Sequence, residues 1–249
     1  AAEGEIGKGG HIYALGGNIN IEDTDFHGNP FGIFGTAAFG TYGGMLFIDH
    51  DSERQARGDD RGADHNVFNG NQQNSTGADP VTNGGAVWVR ESTNFINCNF
   101  VNNIAEFGGA IYVGTTEDGF PVDVTFINCT IANNVALGLG GGIYVEQTAG
   151  QGVTLINSIL YDNLHEYDIN SESGVNNGMG FDQTAAQIFV NFIHSNIQDD
   201  PTTYPGNVIY NAGYLAEYLE TNQISLDPML GPDPTLALNV DSPCIDAGT

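Results

Sequence analysis

GGAVWV (84–89), FINCNFVNN (95–103), GGAIYV (108–113), FINCTIANN (126–134), GGGIYV (140–145) and LINSILYDN (155–163) are six pieces of one stretch, and they say two things three times each. Repetition at a period of roughly 20–50 residues marks a solenoid, a propeller or an array. The glycine phrase returns at Gly84, Gly108 and Gly140, and the second phrase at Phe95, Phe126 and Leu155, with unequal offsets. Unequal offsets suit coils whose loops differ in length better than they suit helical pairs or propeller blades. The pattern predicts an all-β solenoid of strands.

Side chains of a strand alternate between its two faces. In the glycine phrase that alternation sends Val87/Val89, Ile111/Val113 and Ile143/Val145 inward, and Trp88, Tyr112 and Tyr144 outward. In the second phrase Phe95, Phe126 and Leu155 differ in parity from Phe100, Ile131 and Leu160, so one straight strand cannot bury both sets. A corner is expected between them at Asn97, Asn128 and Asn157. Asparagine tolerates left-handed backbone, and its amide can bond to the coils above and below. Beyond that corner Cys98 and Cys129 share the inward parity of Phe100 and Ile131. Asn102–Asn103 and Asn133–Asn134 mark the next corner.

Phe-x-x-Asn (Phe100–Asn103, Phe26–Asn29, Phe68–Asn71) alternating with Gly-Gly-Ala-aliphatic (Gly84–Val87, Gly108–Ile111) resembles the repeats of polymorphic outer-membrane proteins. It is similar, more widely, to secreted right-handed parallel β-helix repeat proteins. The tail HSNIQ (194–198), LDPML (226–230) and SPCIDAGT (242–249) resembles the bacterial surface group called choice-of-anchor proteins. The resemblance implies a right-handed single-stranded parallel β-helix with irregular loop insertions, an extracellular or cell-surface location, and further chain beyond Thr249. It implies no particular activity.

The composition suits an extracellular, calcium-containing or saline setting, and equally a merely soluble acidic surface. With 31 acidic against 5 basic residues the net charge is −26, which excludes a basic groove for nucleic acid or anionic polysaccharide. Like charges on successive coils would stand roughly 5 Å apart, so salt or divalent cations must screen them. No run approaches about 18 apolar residues, so no membrane span is expected. The start Ala1-Ala2-Glu3, without Met, fits a chain whose leader has been removed, and a chain cut at any other boundary would look the same. With no Pro- or Ser-rich linker, residues 1–249 read as one domain.

Around the clear coils of 84–163 the pattern loosens. Gly9-Gly10-His11-Ile12-Tyr13 begins a degenerate first coil, and Gly43-Gly44-Met45-Leu46-Phe47-Ile48 restarts the pattern. Two polar stretches, 49–66 and 164–184, read as insertions. In the first, Asp49, Asp51, Asp59, Asp60 and Asp64 offer oxygen ligands for calcium, although no twelve-residue calcium loop is present. Equally, Arg54, Arg57 and Arg61 can pair with them on the surface. Ile188–Ile197 reads as strand, corner and strand, and 206–219 as a further coil with a helical piece near Tyr214–Tyr218.

Three cysteines are an odd number. Cys98 and Cys129 share a column at a spacing near what a disulfide accepts, or they are buried free thiols; Cys244 is expected to pack in the last coil. A lyase would need cations, but Lys8 is the only lysine and Arg90 the only basic residue on a regular coil. The carboxylates of the coils stand singly or alternate on a surface, so catalysis is not expected. The outward column Phe47, Trp88, Tyr112 and Tyr144, with Tyr13 in line, has three readings: covered by the chain's own loops, a contact between subunits, or a platform for surface glycans. Open solenoid ends present unpaired strand edges that accept another copy head to tail. The leading expectation is a non-catalytic extracellular structural or adhesive protein, self-associating end to end with calcium assisting. Next comes an adhesin or glycan-binding domain of a larger surface protein, and third a polysaccharide lyase or hydrolase.

Overall fold

In a computed structural model of the chain, residues 83–116, 119–146, 150–164, 190–197, 227–231 and 237–244 are described with their side chains, and elsewhere the backbone of the strands named below. The described residues are strands and turns, with no helix. The strands form four six-stranded sheets and one pair, Gly7–Lys8 with Thr41–Tyr42.

The first face carries the glycine phrase: Ile12–Leu15, Leu46–Asp49, Val87–Val89, Ile111–Val113, Ile143–Val145 and Met179–Phe181. The second is Arg61–Asp64, Thr93–Ile96, Asp123–Ile127, Gly152–Ile156, Ile188–Ile193 and Val208–Tyr210. The third is Asp25–His27, Val67–Asn69, Asn99–Val101, Thr130–Ala132, Ile159–Tyr161 and Asn196–Ile197. The fourth is Pro30–Phe31, Gln72–Gln73, Ile104–Ala105, Val135–Ala136, Leu164–Asp168 and Ser173–Asn176. From Val87 to Leu164 the chain visits the four faces in rotation. Neighbours within a face are parallel, except that Ser173–Asn176 runs antiparallel to Leu164–Asp168.

Burial follows the expected parity. Val87, Val89, Ile111, Val113, Ile143 and Val145 join one apolar cluster with Phe95, Phe126, Leu155, Phe100, Ile131 and Leu160. Removing each such side chain from water stabilises the fold by about 1.5–3 kcal/mol. Phe95 lies flat on Phe126 at 5.3 Å, and Phe100 meets both rings edge-on. The register that stacks them, Phe95↔Phe126↔Leu155↔Phe192, holds through four neighbouring strands.

The corners are where asparagine was expected. Asn97, Asn128 and Asn157 have φ of 53°, 53° and 48°, and Asn102, Asn133 and Asp162 have 57°, 57° and 54°. After the next strand of the second face, Ile188–Ile193, His194 takes the first of these positions at φ 48°. The leading glycine of each phrase is left-handed too, at φ +68°, +65° and +73° for Gly84, Gly108 and Gly140. A Cβ there would also run into the carbonyl three residues ahead, so glycine is required on two counts.

The structure moves the amide ladder that was expected at Asn97, Asn128 and Asn157. Asn128 and Asn157 are exposed, whereas Asn103, Asn134 and Asn163 are fully buried and bond to one another. The left-handed residue turns the chain outward, and the residue after it is the one aimed inside. The stretches read as insertions also differ from expectation. Within 49–66, Arg61–Asp64 pairs in register with Thr93–Ile96. Within 164–184, Leu164–Asp168 and Ser173–Asn176 form an antiparallel pair and Met179–Phe181 extends the first face. Ile188–Ile193 and Asn196–Ile197 flank a corner as expected; the helical piece near Tyr214–Tyr218 lies outside the described residues.

Candidate binding surface

The outward residues of the first face form two columns. Register aligns Tyr13, Phe47, Trp88, Tyr112 and Tyr144 in the first. One step beyond the pairs Val89↔Val113↔Val145 stand Arg90, Gly114 and Glu146, the second column. The side chains of Tyr13 and Phe47 lie outside the described residues.

The rings interlock instead of standing open. Tyr112 stacks on Tyr144 at 5.0 Å, Trp88 meets Tyr112 edge-on at 5.9 Å, and Phe107 leans on Tyr144 at 5.3 Å. Tyr112 keeps 9% of its surface and Tyr144 7%, while Trp88 is half-buried. A flat, open strip of stacked rings is therefore not what these residues present: Trp88 is the accessible ring of the three.

Arg90 sets the upper rim. Its guanidinium lies 5.4 Å from the centre of the Trp88 ring, a cation–π arrangement, and its Nε donates to the Thr115 carbonyl at 2.8 Å. Gly114 stands between Arg90 and Glu146. A Cβ added there would lie 2.7 Å from Trp88 Nε1, and 3.4 Å from both Arg90 Cγ and Glu146 Oε2. The missing side chain is what lets the indole lie across the column.

Two residues that sequence reasoning passed over hold the neighbouring loop. Gln151 is fully buried, donates from Nε2 to the Gly114 carbonyl at 2.8 Å and accepts from the Val122 amide at 3.1 Å. Thr116 Oγ1 accepts from the Phe120 amide at 2.9 Å. The signal for Gln151 was its position: it directly precedes Gly152, which pairs with Asp123, yet it is polar where Val122 is apolar.

A second repeating set lies inside. Cys98, Cys129, Ser158 and Ser195 occupy one column. Each heteroatom bonds to the carbonyl two residues back: Cys98 and Cys129 at 3.3 Å, Ser158 at 2.9 Å and Ser195 at 3.0 Å. The Cys129 amide donates to Ser158 Oγ and the Ser158 amide to Ser195 Oγ, each at 3.1 Å. Cys98 and Cys129 are free thiols, and burial, with Cys98 alongside, pushes the Cys129 thiol well above its ordinary value. Cys244 is half-buried and accepts from Asn196 Nδ2.

Of the aspartates expected to bind calcium, Asp49 ends a strand of the first face and Asp64 a strand of the second. Asp51, Asp59 and Asp60 lie outside the described residues, as do the side chains of Asp49 and Asp64. No helix among the described residues is long and apolar enough to cross a membrane. Compared with known proteins, the chain matches no family model, no curated protein and no solved structure.

Proposed function

We propose that residues 1–249 form one right-handed, single-stranded parallel β-helix. In this proposal it works outside the cell as a non-catalytic structural or adhesive element, joining copies of itself end to end. One observation carries the proposal: the residues that recur are spent on stacking coil upon coil. The phenylalanines stack on each other, the buried asparagines bond to each other, and the thiols and hydroxyls bridge the coils. Contacts that repeat without change from coil to coil can repeat from copy to copy.

The charge of −26 sets the conditions. Copies approaching end to end repel unless cations screen them, and calcium takes oxygen ligands of the kind that Asp49, Asp51, Asp59, Asp60 and Asp64 offer. The resemblance to surface β-helix repeats supports an extracellular setting. Electron microscopy of the purified chain in calcium, then in chelator, tests this. Filaments that dissolve in chelator support assembly and the metal together, and filaments indifferent to chelator support assembly alone. Single particles in both would overturn the assembly.

Trp88 favours a second reading, an adhesin or glycan-binding module of a surface protein. A half-buried indole with Arg90 over its ring and Glu146 beyond Gly114 joins a stacking face to charged hydrogen-bonding groups. Titration of the single tryptophan's fluorescence with soluble glycans tests it, and an unchanged spectrum across neutral, acidic and amino sugars would overturn it.

A further inference from the structure

The inner column Cys98, Cys129, Ser158 and Ser195 links each strand of the third face to its neighbour by one rule. Ser195 Oγ accepts from the Ser158 amide and Ser158 Oγ from the Cys129 amide, and the Cys129 sulfur is hydrogen-bonded to the backbone and side chain of Cys98. Ser158 Oγ donates to the Phe126 carbonyl, and Cys129 Sγ to the Phe95 carbonyl in the same way, each at 3.3 Å. Serine serves the rule at least as well as cysteine. The hydroxyls reach the carbonyl two residues back at 2.9 and 3.0 Å, the thiols at 3.3 Å, and a thiol is the weaker donor.

Hydrogen bonding therefore does not call for sulfur at the first two places of the column. What sulfur adds over oxygen is a bond to another sulfur, and the two cysteines occupy adjacent places. The register Asn99↔Thr130 puts Cys98 directly beside Cys129. Neighbouring strands stand about 4.8 Å apart, inside the roughly 4.4–6.8 Å between Cα atoms that a disulfide accepts. Its Cβ atoms stand about 3.5–4.5 Å apart, so the two strands need draw together only slightly.

We propose that Cys98 and Cys129 are an oxidisable pair, joined into a disulfide while the chain folds, and that this bond fastens the Asn99–Val101 strand to the Thr130–Ala132 strand. The timing follows from burial. Cys98 is 0% and Cys129 1% exposed, so an oxidant does not reach either sulfur once the strands have closed. Before closure, one thiolate attacks the S–S bond of a small-molecule disulfide and releases one thiol. The other thiolate then attacks the mixed disulfide and releases the second. The pair loses two electrons and two protons, and the small molecule gains them as two thiols. An oxidising compartment outside the cytosol supplies such a reagent. The bond bridges residues 31 positions apart, so a pull on the chain ends cannot draw out the segment between them. None of this depends on end-to-end assembly.

The test refolds the full chain from denaturant in a mixture of oxidised and reduced glutathione. Alongside it runs Cys98→Ser/Cys129→Ser, which keeps a hydroxyl at both places. The parent should regain the native far-UV spectrum and Trp88 emission. Peptide mapping without reduction should then find Cys98 joined to Cys129 and Cys244 open to alkylation. Pulled singly, oxidised molecules should unravel to a contour roughly 100 Å shorter than reduced ones, a difference the double-serine variant lacks. The native reduced chain should stay reduced in the same mixture. Where refolding is incomplete, the same mapping on chain produced in an oxidising and in a reducing bacterial compartment decides. A folded chain that keeps both thiols, pairs either with Cys244, or carries the bond only in molecules without the native spectrum would overturn the proposal. Rapid oxidation of the native chain would overturn closure during folding.

Discussion

Asn134 accepts two hydrogen bonds on one oxygen from the same neighbour: the Asn103 amide at 2.9 Å and Asn103 Nδ2 at 3.0 Å. Its own Nδ2 donates to the Phe100 carbonyl at 3.0 Å and to Asn163 Oδ1 at 2.9 Å. No solvent reaches any of the three asparagines. Asn134→Leu removes the acceptor that the Asn103 amide and Asn103 Nδ2 share and the donor that Nδ2 offers to the Phe100 carbonyl and Asn163 Oδ1, at about 1–3 kcal/mol for each buried group this leaves unpaired. Urea denaturation should therefore give a large loss, about 3 kcal/mol or more. A loss under about 1 kcal/mol would mean that the ladder is not worth more than the apolar burial leucine supplies.

Asn134→Asp sharpens this with pH. The carboxylate would put an acceptor where Nδ2 now donates, facing the Phe100 carbonyl and Asn163 Oδ1. Burial and those acceptors raise the folded-state pKa of such an aspartate above the unfolded value of about 3.9. Stability is then fully present below the unfolded pKa and is lost as pH rises through the folded one. The variant should lose stability from acid to neutral pH relative to the parent, as read by paired denaturation curves.

The thiol column leads to a second pH prediction. Cys129 has its pKa raised above the ordinary 9.0, by burial first and by Cys98 next. Below the unfolded value neither state ionises and the contribution is whole. As pH climbs past it the unfolded chain loses a proton that the folded chain keeps, and stability falls until the folded pKa is reached. Cys129→Ser should remove that part of the alkaline slope. Serine does the same work at Ser158 in this column, so the neutral-pH cost should stay below about 1.5 kcal/mol. Cys129→Val, with no donor for the Phe95 and Ile127 carbonyls, should cost more. A native chain whose thiols react with an aromatic disulfide reagent as fast as the unfolded chain would contradict this burial.

Trp88 is the single tryptophan, which makes its surroundings directly observable. Arg90→Ala uncovers one side of the indole and should shift its emission to the red and raise quenching by acrylamide. Gly114→Ala puts a methyl where Trp88 Nε1 lies 2.7 Å from the added carbon, so the ring must move. Its emission should change although the apolar core beneath is untouched. Unchanged spectra in both variants would show that neither residue sets the ring's position.

The sequence was most legible where one rule decides one residue. Period-two alternation placed Val87, Val89, Phe95 and Phe100 inside, because apolar burial dominates at those sites. Left-handed corners were legible in Asn97 and Asn102, because few residues tolerate that backbone. The corner between Ile193 and Asn196 was legible as well, but not that His194 takes its left-handed position, since histidine carries no such signal alone. The buried ladder was assigned to Asn97's column and found in Asn103's, because adjacent asparagines look alike in sequence while only one points inward. The aromatic column was legible as a column. How far its rings are covered was not, since that depends on ring packing and on Gly114, a residue noticed only for what it lacks. Arg61–Asp64 was hidden for a different reason: its pairing with Thr93–Ile96 is made by backbone, which polar side chains do not report.

The corner column offers the cleanest separation of backbone from side-chain effects. Asn128 has φ 53° and is exposed, and its amide donates to the Ile156 carbonyl at 2.9 Å, a bond that any residue but proline would keep. Glycine occupies left-handed backbone without a Cβ penalty but gains freedom in the unfolded chain. Asn128→Gly should therefore change stability by less than about 1 kcal/mol in either direction. A β-branched residue meets the full steric cost, so Asn128→Val should lose about 1–2 kcal/mol despite valine's preference for strands. The two variants bury nothing different, because the side chain is in solvent. A valine variant as stable as the glycine variant in thermal or urea unfolding would mean that the corner relaxes out of the left-handed region, and the turn would then be set by the paired strands on either side.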